Sequence, residues 1–246
     1  MDKRVALVVG GGGGIGSSVA KSLVADGMQV CATYFQKKEK IDNLLVECGE
    51  DKILGFECDM TDEARVREVV ADVLSRYEKI DIVVFSVSPS LKHGRILDLE
   101  WDDFEKHVSL QIKSVLFVLK SLDEQIRLKK KTKFIIVLSE YCIGSPPKGL
   151  SHYVTSKYAV MGLSKTMAVE LAQYGCTVNM VTPGMVSTSL LENLPPKLIE
   201  ITENQNPLKR IACPDDVSNV VSFLASNKSD YLNGVNITVN GGGVMF

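Results

Sequence analysis

The stretch "SHYVTSKYAVMG" carries two side chains whose types suit acid catalysis. Tyr153 and Lys157 are four residues apart, so on a helix their side chains lie next to each other on one face. A free tyrosine, with a pKa of about 10, is a sluggish acid, and a cationic neighbour lowers that pKa. The spacing alone is unspecific, because Tyr34 and Lys38 repeat it and an ordinary half-exposed helix pair would show the same pattern.

A second stretch, "VVGGGGGIG" from Val8 to Gly16, has the composition of a phosphate-binding loop. A β-branched run over 4–9 precedes it, and apolar residues at helical spacing follow over 15–26. At such a strand-to-helix turn, glycines let the backbone approach a pyrophosphate that binds the helix N-terminal amides. A tight turn without a ligand is the alternative. The run satisfies two nucleotide-loop registers, either Gly11, Gly13 and Gly16 or Gly10, Gly14 and Gly16.

The residues after the second strand bear on the choice of dinucleotide. A site that selects NAD usually places an acidic residue there to hold the ribose 2′-hydroxyl. This chain reads "CATYFQKKEK", with Tyr34 at that place, which favours NADPH (NADP+) over NADH. Lys37 and Lys38 could meet the 2′-phosphate of NADPH, although lysines on a surface loop are more often solvated.

The elements that must position these residues alternate between strand and helix. Helix-like segments separate the strand-like runs, and the longest of them runs from Trp101 into the basic stretch "RLKKKTK". This alternation predicts an α/β fold, a doubly wound Rossmann-type domain with a parallel seven-stranded sheet and helices on both faces. No composition break or Pro/Ser-rich linker divides the chain, so a single domain is predicted over 1–246. Strands are expected at 4–9, 28–34, 53–58, 81–86, 134–139, 177–181 and 235–242.

Composition narrows the class of protein. The chain is 45% hydrophobic and carries 28 basic against 30 acidic side chains, a net charge of −2. This balance lacks the excess of basic residues that is typical of nucleic-acid-binding proteins. Its longest apolar runs are far shorter than the roughly 20 residues that cross a bilayer, so no membrane segment and a cytoplasmic protein are expected. The six cysteines are scattered without a histidine cluster, which predicts reduced thiols and no metal site.

Taken together, the motifs resemble those of the short-chain dehydrogenase/reductase family over essentially the whole chain. "GGGGGIG" is similar to its glycine loop and selects the register Gly10, Gly14 and Gly16. "CDMTD" resembles the adenine-contacting segment, "YVTSK" the catalytic pair, "TPGMVST" the nicotinamide-side loop and "VNGG" the C-terminal strand. The resemblance implies cofactor contacts from Gly10, Gly13, Gly14, Ile15, Gly16, Tyr34, Asp59, Met60, Ser86, Tyr153, Lys157, Pro183, Gly184, Val186 and Thr188. Gly11 to Gly13 become variable loop positions, so the loop is expected to hold the cofactor through backbone amides alone.

Within the family, the "MAVELAQYGCTVNMVTPG" block and the chain end "NGVNITVNGGGVMF" look most like 3-oxoacyl-carrier-protein reductases. The resemblance implies an NADPH-dependent ketoreductase that reduces a 3-oxoacyl thioester, possibly on an acyl carrier protein. Tyr153 would donate the proton, and Lys157 would lower its pKa and hold the nicotinamide ribose. A homotetramer is also implied. The segment 185–212 is expected to form a lid over the substrate, with Leu190, Leu191 and Leu194 either on the acyl chain or packing the lid down.

Three departures from the family pattern concern supporting residues. Val9 stands where the family has a threonine that ties the loop to the neighbouring strand. "FSVS" replaces Asn-Asn-Ala-Gly after the fourth strand, where Ser86 could take part of the asparagine's role. Gln111 aligns with the asparagine of the proton relay and is longer by one methylene, so it is expected among the catalytic residues with an altered geometry.

The fourth departure concerns the carbonyl-binding serine. The family's usual interval of thirteen residues before Tyr153 lands on Glu140, and Ser139 comes immediately before it. A hydroxyl donates a hydrogen bond to the developing alkoxide, whereas an ionised carboxylate repels it. Because neighbours on a strand point to opposite faces, the two cannot both point inward without a bulge. Ser139 is the predicted catalytic serine; the alternative is a structural Ser139 in a slow or altered enzyme.

Two other functions fit the sequence. "SVSP" resembles the turn of enoyl-carrier-protein reductases, although those enzymes usually space tyrosine and lysine seven apart. The altered serine and asparagine positions also fit a catalytically impaired nucleotide-binding homologue that acts as a partner subunit.

Overall fold

The sheet lies at the centre of the fold and supplies the edge at which the site is built. The computed structural model describes residues 3–36, 38–191, 194 and 196–245. In it, all neighbouring strands pair in parallel, in the order β3-β2-β1-β4-β5-β6-β7, which confirms the predicted seven-stranded parallel sheet. The strands are β1 Val5–Val9, β2 Gln29–Tyr34, β3 Ile53–Glu57, β4 Ile82–Phe85, β5 Lys133–Val137, β6 Thr177–Pro183 and β7 Asn236–Val239.

Helices cover both faces of this sheet because the central strands, such as β1, are apolar on both sides. In β1, Leu7 faces one apolar core with α3, α4 and α6, while Ala6 and Val8 face the other with α1, α2 and α8. Two buried faces are the expected consequence of right-handed crossovers in a parallel sheet. The helices are α1 Gly14–Ala25, α2 Lys38–Cys48, α3 Glu63–Tyr77, α4 Trp101–Ser121, α5 Asp123–Arg127, α6 Ser151–Glu170, α7 Pro196–Gln205 and α8 Pro214–Ala225.

The prediction of one continuous helix from Trp101 into the basic stretch was wrong. The helix ends at Ser121, and α5 follows after Leu122, which is fully buried. The break brings Gln125 inward, where its side chain accepts from the Ile80 amide and donates to the Ile80 carbonyl and the Thr132 hydroxyl. These buried hydrogen bonds satisfy the backbone amide and carbonyl of Ile80, just before β4 begins. A long-range contact therefore overrides the helical periodicity of the local sequence.

The strand order reverses between β1 and β4. In an open parallel sheet, such a reversal opens a crevice beyond the carboxyl ends of the strands, and ligands bind there. The loops after β1, β2, β4, β5 and β6 all reach this edge. Among the described residues, no helix is long and apolar enough to cross a membrane.

Candidate active site

A cavity of about 1160 Å³ occupies this crevice. The residues that line it come from the glycine loop, the ends of β2 and β3, the segment after β4, α4, the end of β5, α6 and the lid segment. Of the predicted cofactor residues, the lining includes Gly10, Gly13, Gly14, Ile15, Tyr34, Asp59, Met60, Ser86, Tyr153, Lys157, Pro183, Gly184, Val186 and Thr188. Gly16 does not line the cavity; instead, its lack of a side chain leaves room for the Gly10 carbonyl oxygen inside the loop.

The glycine loop is a tightly packed turn. Gly10 has a φ of +89°, which favours glycine, and a Cβ there would lie 2.8 Å from the Ser86 carbonyl oxygen. A Cβ at Gly16 would overlap the Gly10 carbonyl oxygen, and one at Gly14 would lie 2.7 Å from Cγ2 of Thr188. These contacts restrict Gly10, Gly14 and Gly16, the register that the family resemblance selected.

Gly11 is also restricted, contrary to the expectation that positions 11 to 13 vary freely. A Cβ at Gly11 would lie 2.6 Å from Cβ of Ala32, whereas one at Gly13 meets only the Gly10 carbonyl oxygen at 3.3 Å. The reason is that the loop crosses directly over β2, and the Gly11 amide donates to the Thr33 carbonyl at 2.8 Å.

Thr33 ties the loop to β2, a role that the sequence patterns did not indicate. The Gly10 amide donates to its hydroxyl oxygen at 3.1 Å, and its carbonyl accepts from Gly11. Val9 has no side-chain hydroxyl to connect the loop to the neighbouring strand, and Thr33 on β2 supplies these hydrogen bonds instead. The signal in the sequence was a threonine one residue before Tyr34, inside an otherwise apolar run.

The loop and its surroundings fit a dinucleotide. Gly13 caps α1 without a side-chain hydrogen bond, and the first amides of a helix have no intrahelical partner, so they point into the cavity as donors for a phosphate. Glycines leave room for the backbone to approach it. Asp59 accepts from the amide and the hydroxyl of Thr61, which fixes the segment after β3 at the rim.

The end of β2 carries no carboxylate among the lining residues, which there are Tyr34, Phe35 and Gln36. Lys38 pairs with Asp42 at 2.7 Å and does not line the cavity, which agrees with the alternative of a solvated surface lysine. Lys37 lies outside the described residues.

Tyr153 and Lys157 lie side by side on α6 and are both buried. The Lys157 Nζ is 5.8 Å from the centre of the Tyr153 ring and donates to the Val137 carbonyl at the end of β5, at 2.9 Å. This bond anchors the ammonium group between helix and sheet. The second Tyr-x-x-x-Lys pair, Tyr34 and Lys38, does not form a comparable buried site.

Burial dominates the ionisation of this pair. It raises the pKa of Tyr153 well above its usual value, and the neighbouring Ser139 hydroxyl only partly opposes this. Burial also lowers the pKa of Lys157 to about 8. Desolvation is thus the largest effect on the Tyr153 pKa, and the lowering expected from the charge of Lys157 stays a prediction.

Ser139 and Glu140 point in different directions. Ser139 is buried and lines the cavity next to Tyr153, and its hydroxyl oxygen accepts from the Tyr141 amide. The Glu140 carboxylate instead lies against Gly184 and Gly243, and burial raises its pKa. The chain turns at Ser139 into a short 3-10 helix, so no bulge brings both side chains inward.

Gln111 does not reach the cavity. Its side-chain amide donates to the Val87 carbonyl at 2.8 Å, so it supports the segment that replaces Asn-Asn-Ala-Gly after β4. That segment, beginning at Ser86, lines the cavity. The proton relay expected of Gln111 stays a prediction. The hydrogen bond that its side chain makes to Val87 supports the backbone after β4.

Tyr141 is a lining residue that the sequence patterns did not reveal. Its ring lies edge-on to that of Tyr153, with centroids 6.4 Å apart, in a small apolar cluster with Leu91 and Leu150. Lid leucines face the same space: Leu190, Leu191, Leu194 and Leu198 all line the cavity. Within the lid, Glu192, Asn193 and Pro195 lie outside the described residues.

A pair of buried histidines packs behind the tyrosine, also unforeseen. The rings of His107 on α4 and His152 on α6 are 4.6 Å apart, and His107 lies edge-on to Tyr153. Nδ1 of His107 and both nitrogens of His152 have no hydrogen-bond partner among the described residues. Burial lowers the pKa of His107 to about 4 and also lowers that of His152, so both rings are neutral at pH 7.

This pair predicts acid sensitivity. The unfolded chain binds a proton at His107 below about pH 6.5, while the folded protein binds it only near pH 4, so stability falls between these values, by about 3 kcal/mol at the lower end. His107→Leu should reduce this loss of stability at acid pH when the free energy of unfolding is measured by urea titration from pH 7 to 4. His93→Leu, a substitution at an exposed histidine, is the control variant measured in parallel. If His107→Leu loses as much stability between pH 7 and 4 as the wild type does, His107 is not the source of the acid sensitivity.

Comparisons with known proteins agree with this architecture. A family profile described as "Enoyl-(Acyl carrier protein) reductase" matches residues 10–243. The chain is 33% identical over 245 residues to "3-oxoacyl-[acyl-carrier-protein] reductase FabG" of Staphylococcus aureus (strain Mu50 / ATCC 700699), with 97% of each chain covered. It is 30% identical to the protein of the same name from Thermotoga maritima, with 98% of each chain covered.

Solved structures show the same fold. A doubly substituted variant of a short-chain dehydrogenase/reductase from Serratia marcescens superposes with a TM-score of 0.89 at 25% identity, covering 98% of this chain and 97% of that one. A glucose/ribitol dehydrogenase-type relative from Brucella melitensis superposes with a TM-score of 0.90 at 24% identity, covering 99% and 97%. The chain belongs to the short-chain dehydrogenase/reductase family and is an NAD(P)-dependent oxidoreductase.

Proposed function

We propose that this protein is an NADPH-dependent ketoreductase that reduces a 3-oxoacyl thioester to the 3-hydroxyacyl form. The proposal rests on one observation: Tyr153, Lys157 and Ser139 are buried and line the same cavity as the glycine loop. The relatives named 3-oxoacyl-[acyl-carrier-protein] reductase supply the substrate class, and a carrier-bound thioester is the proposed form.

The bound dinucleotide supplies the hydride that reduces the carbonyl carbon. Ser139 donates a hydrogen bond to the carbonyl oxygen as it becomes negative, and the Tyr153 hydroxyl transfers its proton to that oxygen. Lys157, held by the Val137 carbonyl, keeps an ammonium group beside the phenol and would hold the nicotinamide ribose of a bound dinucleotide. Burial excludes water, which strengthens each of these interactions.

The choice of NADPH rests on the end of β2. Tyr34, Phe35 and Gln36 line the cavity there, so no carboxylate competes with a 2′-phosphate. The apolar surface proposed for the acyl chain comprises Leu190, Leu191 and Leu194 of the lid. A homotetramer is proposed on the family resemblance alone, and a single domain over 1–246 is proposed because no composition break or Pro/Ser-rich linker divides the chain.

A panel of substrates tests the proposal. Purified protein should oxidise NADPH with acetoacetyl thioesters, on a carrier protein or a small thiol, and should leave crotonyl thioesters unreduced. Absorbance of NADPH reports the rate, and product analysis identifies the 3-hydroxyacyl thioester. Activity on no 3-oxoacyl thioester, in a protein that binds NADPH by calorimetry, would refute the ketoreductase and favour a partner subunit without turnover.

Enoyl reduction is the second candidate, favoured by the "SVSP" turn and by the description of the matching family profile. The residue seven before Lys157 is Leu150, which cannot donate a proton in the place where enoyl reductases usually carry tyrosine. Reduction of the crotonyl thioester in the same panel would select this candidate.

A further inference from the structure

We propose that the Glu140 carboxylate stabilises the positive charge that the nicotinamide ring carries in the oxidised dinucleotide. Glu140 is the first residue of the 3-10 helix that follows β5, directly after Ser139. Ser139 lines the cavity and Glu140 does not, so the carboxylate acts through space, across the loop that contains Gly184, and touches no reacting atom. This inference rests on the dinucleotide-dependent activity proposed above.

Glu140 comes close to the cavity because its carboxylate packs against the backbone of Gly184. Its Oε2 lies 3.2 Å from the place that a Cβ of Gly184 would take, and 3.4 Å from that of a Cβ at Gly243. Gly184 lines the cavity together with Pro183, and its amide donates to the Val239 carbonyl at 3.0 Å. The two glycines thus leave room for the carboxylate, and the backbone of the loop separates it from the cavity.

The proposed reaction brings the nicotinamide ring to the other side of this loop. A substrate carbonyl that accepts hydrogen bonds from Ser139 and Tyr153 lies beside the end of β5, because both side chains line the cavity there. Hydride transfer requires the two reacting carbons to be about 3–3.5 Å apart. The ring therefore belongs in the part of the cavity that Tyr153 and Gly184 share, in front of the Glu140 carboxylate.

The charge of Glu140 has no cationic partner in the described part of the chain. Glu140 is half-buried and forms no ion pair among those residues. Burial raises the pKa of its carboxyl, and the neutral side-chain amide of Asn240 only partly opposes this. Burial and the Glu140 charge both raise the pKa of Tyr141, so this neighbour is neutral at pH 7. A carboxylate in such a place is stabilised by a cation brought close to it.

The proposed reaction creates such a cation. Hydride, which is a proton with two electrons, leaves the reduced ring for the carbonyl carbon, so a C–H bond breaks on the ring and another forms on the substrate. The carbonyl oxygen takes the proton of the Tyr153 hydroxyl. The ring is neutral in NADPH and positively charged in NADP+, and a fixed negative charge aimed at it favours the charged form. Glu140 therefore favours binding of the oxidised dinucleotide over the reduced one.

Calorimetric titration of the full chain with NADP+ and with NADPH, at about pH 8 to keep carboxyl groups ionised, tests the proposal. Glu140→Gln removes the charge at nearly constant size. It should raise the Kd for NADP+ roughly five-fold and leave the Kd for NADPH within about two-fold of wild type. Glu140→Asp keeps a carboxylate and should retain most of the wild-type ratio of the two Kd values. Glu124→Gln is the matched control, because it makes the same change of charge at an exposed residue of α5, ahead of β5 at the opposite edge of the sheet.

The ratio of the two Kd values separates charge from structure, because a loss of packing weakens the binding of both forms alike. In Glu140→Gln, an equal rise in both Kd values, or no change beyond about two-fold in either, overturns the inference. A shift of the ratio in Glu124→Gln overturns it too. Should Glu140→Gln fail to fold, Glu140→Ala is titrated instead and judged by the same ratio. Wild-type protein that binds neither form of the dinucleotide would overturn the proposed function as well.

Discussion

Replacement of Tyr153 by phenylalanine is expected to lower kcat roughly 10²- to 10⁴-fold, the usual contribution of a positioned proton donor. The ring is buried between Tyr141 and His107, so phenylalanine fills the same space and loses only the hydroxyl. The Kd for NADPH should therefore change little. Steady-state kinetics with an acetoacetyl thioester, together with calorimetry, separate the two quantities.

Tyr141→Phe provides the matched control, because Tyr141 also lines the cavity and its hydroxyl has a pKa raised by burial. Its kcat should stay within a few-fold of wild type. If Tyr141→Phe loses activity and Tyr153→Phe retains it, the proton donor has been assigned to the wrong tyrosine. A Ser139→Ala protein should fall between them, since one donor to an oxyanion is usually worth about 10²-fold or more in rate.

Gly16→Ala is expected to damage both stability and cofactor binding. A Cβ at this position overlaps the Gly10 carbonyl oxygen, and this oxygen already accepts from the Gly13 amide inside the loop. The loop must shift to admit the methyl group, at a cost of roughly 1–3 kcal/mol in the free energy of unfolding. Displaced amides should also raise the Kd for NADPH about ten-fold or more. Urea unfolding and calorimetry measure the two effects.

Gly162→Ala is the control that the chain offers for this change. Gly162 lies within α6, and a Cβ there meets nothing within 4 Å, so alanine should stabilise the helix by about 0.5–1 kcal/mol. Affinity for NADPH should remain that of wild type. A Gly16→Ala protein as stable and as tightly binding as Gly162→Ala would show that the loop tolerates a side chain at this position.

The alternation of strands and helices could be predicted because it depends on local patterns. Apolar runs such as Phe134 to Leu138 and helical spacing from Ile15 onward are written in consecutive residues, and each segment has only a few ways to bury its apolar side chains. The break at Leu122 could not be predicted, because its cause is the pairing of Gln125 with Ile80, which are 45 residues apart in sequence.

The same distinction holds at the site. Residue identity and spacing by themselves determined the adjacency of Tyr153 and Lys157 on one helix face, the glycine loop at the first strand-to-helix turn and the missing acid at Tyr34. Only the tertiary structure decided that Ser139 faces the cavity while Glu140 turns away, since the direction in which the backbone turns after β5 selects between neighbours. It also decided that burial raises the pKa of Tyr153, because desolvation depends on every element packed around a group.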